Sequence, residues 1–456
     1  MFSRHFIPLL IGFALHNSGP DSAADQTEIE SARACLQGSG EAQISACDRL
    51  IKLETAAPML SIAFETRGRA YFALGDMEHA LLDFNDAIRM EPQSATAYCN
   101  RGDVYFKMKQ IDLAIADYQK AIKLDPKFAC AYAKLGDAYA NKGEFDHATE
   151  SYDEAIASYN EAIRLNPKLA GAFAGRGNVY LDKDDVDHAL ADFDQAVRLE
   201  PKSVYALHGR GYAHRLMGDY DGAIADFSEA LRLDPKFVYA YINRGVAHQN
   251  KSEFVSAVAD ANSAIKLEPT NAGIYLNRGL AKEFKHDFSA AMTDFEKTVE
   301  LDPKSAAGYY SQAILFMRAK NFQKAESAIG RAVELLPHDA ETALLASIVA
   351  QYTGKADPLS ETAETLDPGA WPAPVVAMFL GKASPEAVAT AASAYSPRGS
   401  QGKVCQANFY LGEFALRNGR ADEARRFLSL ALAICPKDYD IRTVVEGEIE
   451  SFPALK

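Results

Sequence analysis

The side chains best suited to chemistry are His208, His214 and His248, the six cysteines Cys35, Cys47, Cys99, Cys130, Cys405 and Cys435, and two matched series of arginines and aspartates. Two metal ligands on one helix should lie three or four residues apart, whereas these histidines are separated by six and by thirty-four. They are expected to be buried or capped structural residues, and no phosphate loop, nucleophile elbow or paired metal motif accompanies them. No catalytic, metal or cofactor residue is therefore expected, and the chain reads as a non-enzyme. The charged series is more regular. Arg67, Arg101, Arg176, Arg210, Arg244 and Arg278 are each followed sixteen residues later by Asp83, Asp117, Asp192, Asp226, Asp260 and Asp294. Where Leu135, Gln312 or Leu411 replaces the arginine, Ser151, Ala328 or Phe427 replaces the aspartate. Both charges come or go together, which predicts Arg–Asp pairs within or between helix pairs, a ladder running along the molecule.

The elements that would carry these residues show in a spacing. Pro92, Pro126, Pro167, Pro201, Pro235, Pro269, Pro303 and Pro337 recur every 34 residues, with one interval of 41. Gly68, Gly102, Gly136, Gly177, Gly211, Gly245 and Gly279 keep the same step, as do alanines twelve residues further on, from Ala80 to Ala325. Small residues let two helices approach closely, and proline stops a helix. Each unit is thus predicted to be an antiparallel helix pair, and Gly211→Leu would overpack it at a cost of roughly 1 to 3 kcal/mol. The longer interval contains "SYDEAIA" at Ser151 followed at once by "SYNEAIR" at Ser158. Seven residues turn an apolar face by only about 20°, so the second helix of that unit should be longer by two turns.

These columns resemble the tetratricopeptide repeat, with small residues at positions 8, 20 and 27, aromatics between them and proline at 32. The resemblance implies an all-α, right-handed superhelical solenoid of antiparallel helix pairs whose first helices line the inner face. On that face Tyr205, His208, Tyr212, Arg215, Tyr239, Asn243, Gln249 and Asn277 would make an aromatic, amide-bearing groove for a peptide. Asparagine at position 6, here Asn100, Asn243 and Asn277, would hydrogen-bond an extended backbone, because an amide both donates and accepts. Position 5 lacks the lysine that cytosolic chaperone partners use to clamp a carboxylate, carrying Glu65, Cys99, Ala133, Ala174, His208, Ile242, Leu276 and Tyr310 instead.

The expected organisation is a signal peptide over 1–24, a capping helical hairpin over 25–60, eight contiguous repeats over 61–338, a degenerate segment of short irregular helices over 339–404, and a final repeat with a terminal helix over 405–456. Phe6 to Leu15 follows Arg4 and His5 and precedes Ser22-Ala23-Ala24, the order of a secretory signal cleaved after Ala24. Its ten residues would reach about 15 Å as a helix, against an apolar bilayer of about 30 Å, so no integral span is expected. Export favours disulfides, and the placement selects Cys35–Cys47 across the first hairpin turn and Cys405–Cys435 at one end of the last helix pair, each worth roughly 3 kcal/mol. Cys99 and Cys130, at positions 5 and 2 of adjacent repeats, could be bridged or free.

From Trp371 to Pro436, "WPAPVVAMFLGKASPE" and "CQANFYLGEFAL" resemble the C-terminal part of envelope repeat proteins of the bacterial lipoprotein NlpI type. That likeness implies a periplasmic or secreted bacterial adaptor that docks envelope proteases or cell-wall hydrolases. A net charge of −14 with no basic run argues against nucleic acid. The competing readings are an enzyme with its site in the groove, and a cytosolic co-chaperone should the N-terminal segment not direct export.

Overall fold

The computed structural model describes residues 23–451 apart from 54–56, 147–148, 356, 358, 365–370, 395–399 and 438–439. The signal segment expected over 1–24 therefore lies outside the described residues, except for its last two positions. Helices are the only regular elements among the described residues, and the chain is an all-α tetratricopeptide-type solenoid of antiparallel helix pairs. The residues fall into two compact units, one ending at Ala213 and the other beginning at His214.

In the first unit, Ala23–Gln37 and Gly40–Lys52 form the predicted N-terminal hairpin, turning at Gly38-Ser39-Gly40 and closed by Cys35–Cys47 with Cα atoms 4.7 Å apart. The array follows as first helices such as Ala95–Lys107 and second helices such as Ile111–Leu124, of 13 and 14 residues. Local chemistry sets both ends of the tight turn between them. The residue two before the second helix takes a left-handed backbone, supplied by Gly75 (φ 86°) but also by Lys109 (φ 62°) and Asp184 (φ 58°). The next residue caps the helix: Asp76 accepts from the His79 amide and Asp185 from that of His188.

Packing explains the glycine column. A Cβ on Gly68 would lie 2.9 Å from Phe84, and one on Gly102 would lie 2.7 Å from Tyr118. The aromatic ring of each second helix thus fills the space that the missing side chain leaves.

The 41-residue interval differs from expectation. Its first helix, Ala129–Asp146, has 18 residues and its second, Thr149–Leu165, has 17, so both arms are longer than in the regular repeats. Gly136 receives Tyr159, while Gly143, which would ordinarily make the turn, stays helical and receives Tyr152. Two glycine–tyrosine contacts are nested where one was expected.

In the second unit the array continues through Val238–Asn250 and Phe254–Leu267, Ala272–Phe284 and Phe288–Leu301, and Ala306–Arg318 and Phe322–Leu335. Here the glycine column makes a sharp contrast. A Cβ on Gly279 would lie 2.7 Å from Phe295 Cδ1 and closer still to Cε1, whereas one on Gly245 meets nothing nearer than 3.6 Å, because Ala261 stands where the aromatic would be. Gly279→Ala is expected to destabilise by about 1 to 3 kcal/mol through overpacking. Gly245→Ala is expected to be neutral or to stabilise by up to about 1 kcal/mol through helix propensity. The urea midpoint should fall for Gly279→Ala and hold or rise for Gly245→Ala; a comparable fall in both would refute this account of the column.

Beyond the array, Ala340–Thr353 is a full fourteen-residue helix buried from Thr342 to Ala350, longer than the short irregular helices expected there. The short elements Leu359–Thr362, Ala373–Phe379 and Pro385–Ser393 follow. Ser400–Arg417 and Ala421–Ile434 make the last pair, bridged by Cys405–Cys435 with Cα atoms 4.9 Å apart. The terminal helix Asp440–Ser451 then turns back onto Ala306–Arg318 and Ala272–Phe284, where Ile441, Val444 and Val445 join one core with Ile314 and Met317.

The charged ladder is present. In the first unit Arg67, Arg101 and Arg176 each grip Asp83, Asp117 and Asp192 through Nε and Nη2, with closest approaches of 2.6, 2.7 and 2.6 Å. In the second unit Arg244 and Arg278 hold Asp260 and Asp294 in the same way, at 2.6 Å each. The remaining Nη1 reaches back to the preceding hairpin: Arg67 to Asp48, Arg101 to Asn85, Arg176 to Asn160, Arg210 to Asp194, Arg244 to Ser228 and Arg278 to Asn262. Arg67, Arg101, Arg176, Arg244 and Arg278 therefore each join the two helices of their own repeat and also the helix pair before it. Where Gln312 takes its place, the amide donates to the Phe295 carbonyl instead, at 3.2 Å.

Candidate peptide-binding surface

The expected groove residues divide between the two units. In the first, Tyr205, His208 and Tyr212 lie at the spacing of one face on the helix Val204–Leu216. Tyr205 is 77% exposed, while His208 and Tyr212 are partly covered. Burial holds the His208 imidazole neutral, with its pKa lowered to about 4.

In the second unit Arg215 is partly buried near the end of the same helix. Tyr239 is 61% exposed, one turn before Asn243, whose amide donates to the Tyr239 carbonyl at 3.0 Å. Phe237 meets the Tyr239 ring edge-on at 5.9 Å. Gln249 and Asn277 are also brought together, though as a brace: the Gln249 side chain donates to the Asn277 main-chain carbonyl at 2.7 Å, joining the first helices of consecutive repeats. A cavity of about 10 Å³ beside this brace, lined by Gly245, Ala257, Ala261 and Ile274, marks the aromatic missing at Ala261. The break in the aromatic column, from Phe227 to Ala261 to Phe295, is the sequence signal for it.

The histidines sit at turns. His79 and His188 each contact the aspartate that caps their helix, at 2.7 Å, and stack on Tyr71 and Tyr180. His214 Nδ1 lies 3.0 Å from Asp219, and His248 Nδ1 lies 2.7 Å from Glu253, in each case on the acidic side chain that opens the following helix. His147 lies outside the described residues.

The terminal helix limits the inner face. Ser311, Ile314 and Met317, three inward positions of the eighth repeat, are 6, 0 and 1% exposed beneath the C-terminal elements. Arg318 donates to the Thr443 carbonyl and to Glu450, His286 lies 3.5 Å from Glu446, and Gly447 lets the helix approach the Arg318 backbone. Within the second unit the inner face that stays open is therefore centred on Val238–Asn250. Sequence reasoning anticipated a terminal helix but not its docking; its signal is the apolar stripe Ile441, Val444 and Val445.

The TPR repeat family matches residues 68–109, 102–143, 146–184 and 211–252, and tetratricopeptide-repeat descriptions match 131–156, 170–203, 276–340 and 381–439. Together these spans cover more than half of the chain. No curated protein matches it significantly. Among solved structures it is similar to YrrB, a TPR protein with an unusual peptide-binding site, at 20% identity over 43% of this chain and 97% of that one, with a TM-score of 0.37. It is also similar to a tetratricopeptide repeat protein from Parabacteroides merdae, at 22% identity over 53% and 93% of the two chains and a TM-score of 0.41. A third likeness is to PilF of Pseudomonas aeruginosa, at 18% identity over 51% and 100% and a TM-score of 0.44. With its glycine, alanine and proline columns folded as stacked helix pairs and matched by these repeat descriptions, the chain belongs to the tetratricopeptide-repeat family.

Proposed function

We propose that this protein is a non-catalytic scaffold that holds an extended segment of a partner protein against the inward-facing first helices, and that it does so in the bacterial cell envelope. Tetratricopeptide repeats serve as protein-interaction modules. The observation that carries the reading is Tyr239, 61% exposed and one helical turn from Asn243, on the stretch of inner face that the terminal helix leaves open. A large, largely exposed aromatic beside an amide is the composition of an interface anchor. Tyr205, His208 and Tyr212 extend the proposal to the first unit, and Arg215, Gln249 and Asn277 support it in the second. The two disulfides agree with an oxidising compartment, and among the described residues no helix is long and apolar enough to cross a membrane. Envelope proteases and cell-wall hydrolases are the partner classes to test first.

The test is a peptide display selection against the full chain, with affinities of the selected peptides measured for Tyr239→Ala and Asn243→Ala. A loss of tenfold or more, about 1.4 kcal/mol, is expected for Tyr239→Ala. Equal affinities in parent and variants would remove the inner face as the binding surface. Retention of proteases or wall hydrolases from an envelope extract by the parent alone would identify the partner class.

A further inference from the structure

Two cysteines remain outside the disulfides, Cys99 on Ala95–Lys107 and Cys130 on Ala129–Asp146, the first helices of consecutive repeats. Their relative position follows from register. One helical turn further along the same two helices, Asp103 and Lys134 meet at 3.6 Å, and these residues are 31 apart in sequence, as Cys99 and Cys130 are. In the preceding pair of repeats the residues 31 apart at the same positions are Glu65 and Thr96, and the Thr96 hydroxyl donates to the Glu65 carboxylate at 3.0 Å. Two neighbouring contacts with one spacing direct the Cys99 and Cys130 side chains toward each other across the seam between repeats. Their electrostatics agree, since each thiol is pushed up first by burial and a charge on Cys130 raises Cys99 further.

We infer that Cys99 and Cys130 form a reversible third disulfide that staples two consecutive repeats together on their inner face. Cys99 is 5% exposed and Cys130, though partly hemmed in by its neighbours, is the more accessible of the two, which assigns their roles. The Cys130 thiolate attacks a small disulfide oxidant and expels one thiolate, leaving a mixed disulfide. The Cys99 thiolate then displaces the second half of the oxidant. Two protein thiols lose two protons and two electrons, and the oxidant disulfide is reduced to two thiols. Asp103 and Asp137 disfavour the thiolates while Lys134 favours them, so closure should be slow near neutral pH and faster as pH rises. Cys35–Cys47 and Cys405–Cys435 each close a helix hairpin, whereas this link would tie one repeat to the next.

The test treats the native full chain with oxidised glutathione at mildly alkaline pH, quenches with acid, alkylates without reduction and maps tryptic peptides. The expected result is loss of both free thiols and a linked pair, Met90–Arg101 with Phe128–Lys134. Cys99→Ser should stop at a glutathione adduct on Cys130, and Cys130→Ser should leave Cys99 open to alkylation once the chain is denatured. Full alkylation of both thiols in the parent, a persistent adduct on Cys130, or a Cys130-linked dimer would each overturn the inference.

Discussion

Replacing Asp294 with alanine is expected to cost about 3 to 5 kcal/mol, the largest loss from any single truncation in the charged ladder. The Asp294 side chain is 3% exposed and accepts from Arg278 Nε at 2.9 Å and Nη2 at 2.6 Å, with Lys282 Nζ a further 2.7 Å away. Two cations therefore converge on one buried carboxylate, and its hydrogen bonds to Arg278 hold that guanidinium all the more firmly in its charged form. Truncation leaves both cations, only 19 and 18% exposed, without the carboxylate that faces them. Asp117 makes the informative comparison: among the described residues Arg101 is the one cation that pairs with it, and Asp117→Ala should cost less. Removing the whole cluster in Arg278→Met/Lys282→Met/Asp294→Leu should recover most of the loss, because apolar side chains of similar volume carry no desolvation penalty. Urea denaturation of the full chain measures all of these. A cost below about 1 kcal/mol for Asp294→Ala would place the ladder among exposed ion pairs and deny it a structural role.

The ladder was legible because it answers a local demand in each repeat. Arginine and aspartate sixteen residues apart fall opposite each other in one hairpin, so keeping or losing one without the other is penalised. Proline at helix ends, glycine under an aromatic ring, and cysteines flanking a turn are local in the same sense. What escaped depends on choices that local patterning leaves equal. Seven added residues preserve the apolar face whether they extend one arm or both, and only the packing of Tyr152 on Gly143 decides for both. Gln249 has the composition of an open groove residue, yet its amide is used by the Asn277 carbonyl.

Distance along the chain sets the other limit. The stripe Ile441, Val444 and Val445 announces a half-buried helix without saying what it covers, and its partners Ile314 and Met317 lie more than a hundred residues earlier. That docking decides which inner-face positions a peptide can reach in the second unit. It also explains why the candidate groove concentrates upstream, around Tyr239 and Asn243. The eighth repeat's inner surface is occupied by the chain's own end.

The same docking buries an acid, and the stability of the protein should fall as pH rises because of it. Glu413, on Ser400–Arg417, is 0% exposed. Among the described residues its Oε1 has no hydrogen-bond partner, and its Oε2 has only long contacts with the Tyr352 hydroxyl at 3.4 Å and the Gln351 amide at 3.5 Å. Glu448, from the terminal helix, adds a second carboxylate to the surroundings, and Lys320 Nζ lies 3.9 Å from Glu448. Burial first, and then the Glu448 charge, push the Glu413 carboxyl from its ordinary 4.5 up to about 8. The folded protein thus keeps a proton that the unfolded chain releases. Stability contributed by that proton is complete below about pH 4.5, declines as pH rises toward 8, and levels off above, a total of roughly 4 to 5 kcal/mol. Glu413→Gln removes the ionisation while keeping the shape. Its urea midpoint should decline less than the parent's over this window, the slope that remains belonging to other buried carboxyls such as Glu448, so that above pH 8 the variant is the more stable of the two. Parallel curves from pH 4.5 to 9 would mean that Glu413 ionises in the folded protein as freely as in water, and that the terminal helix does not seal it.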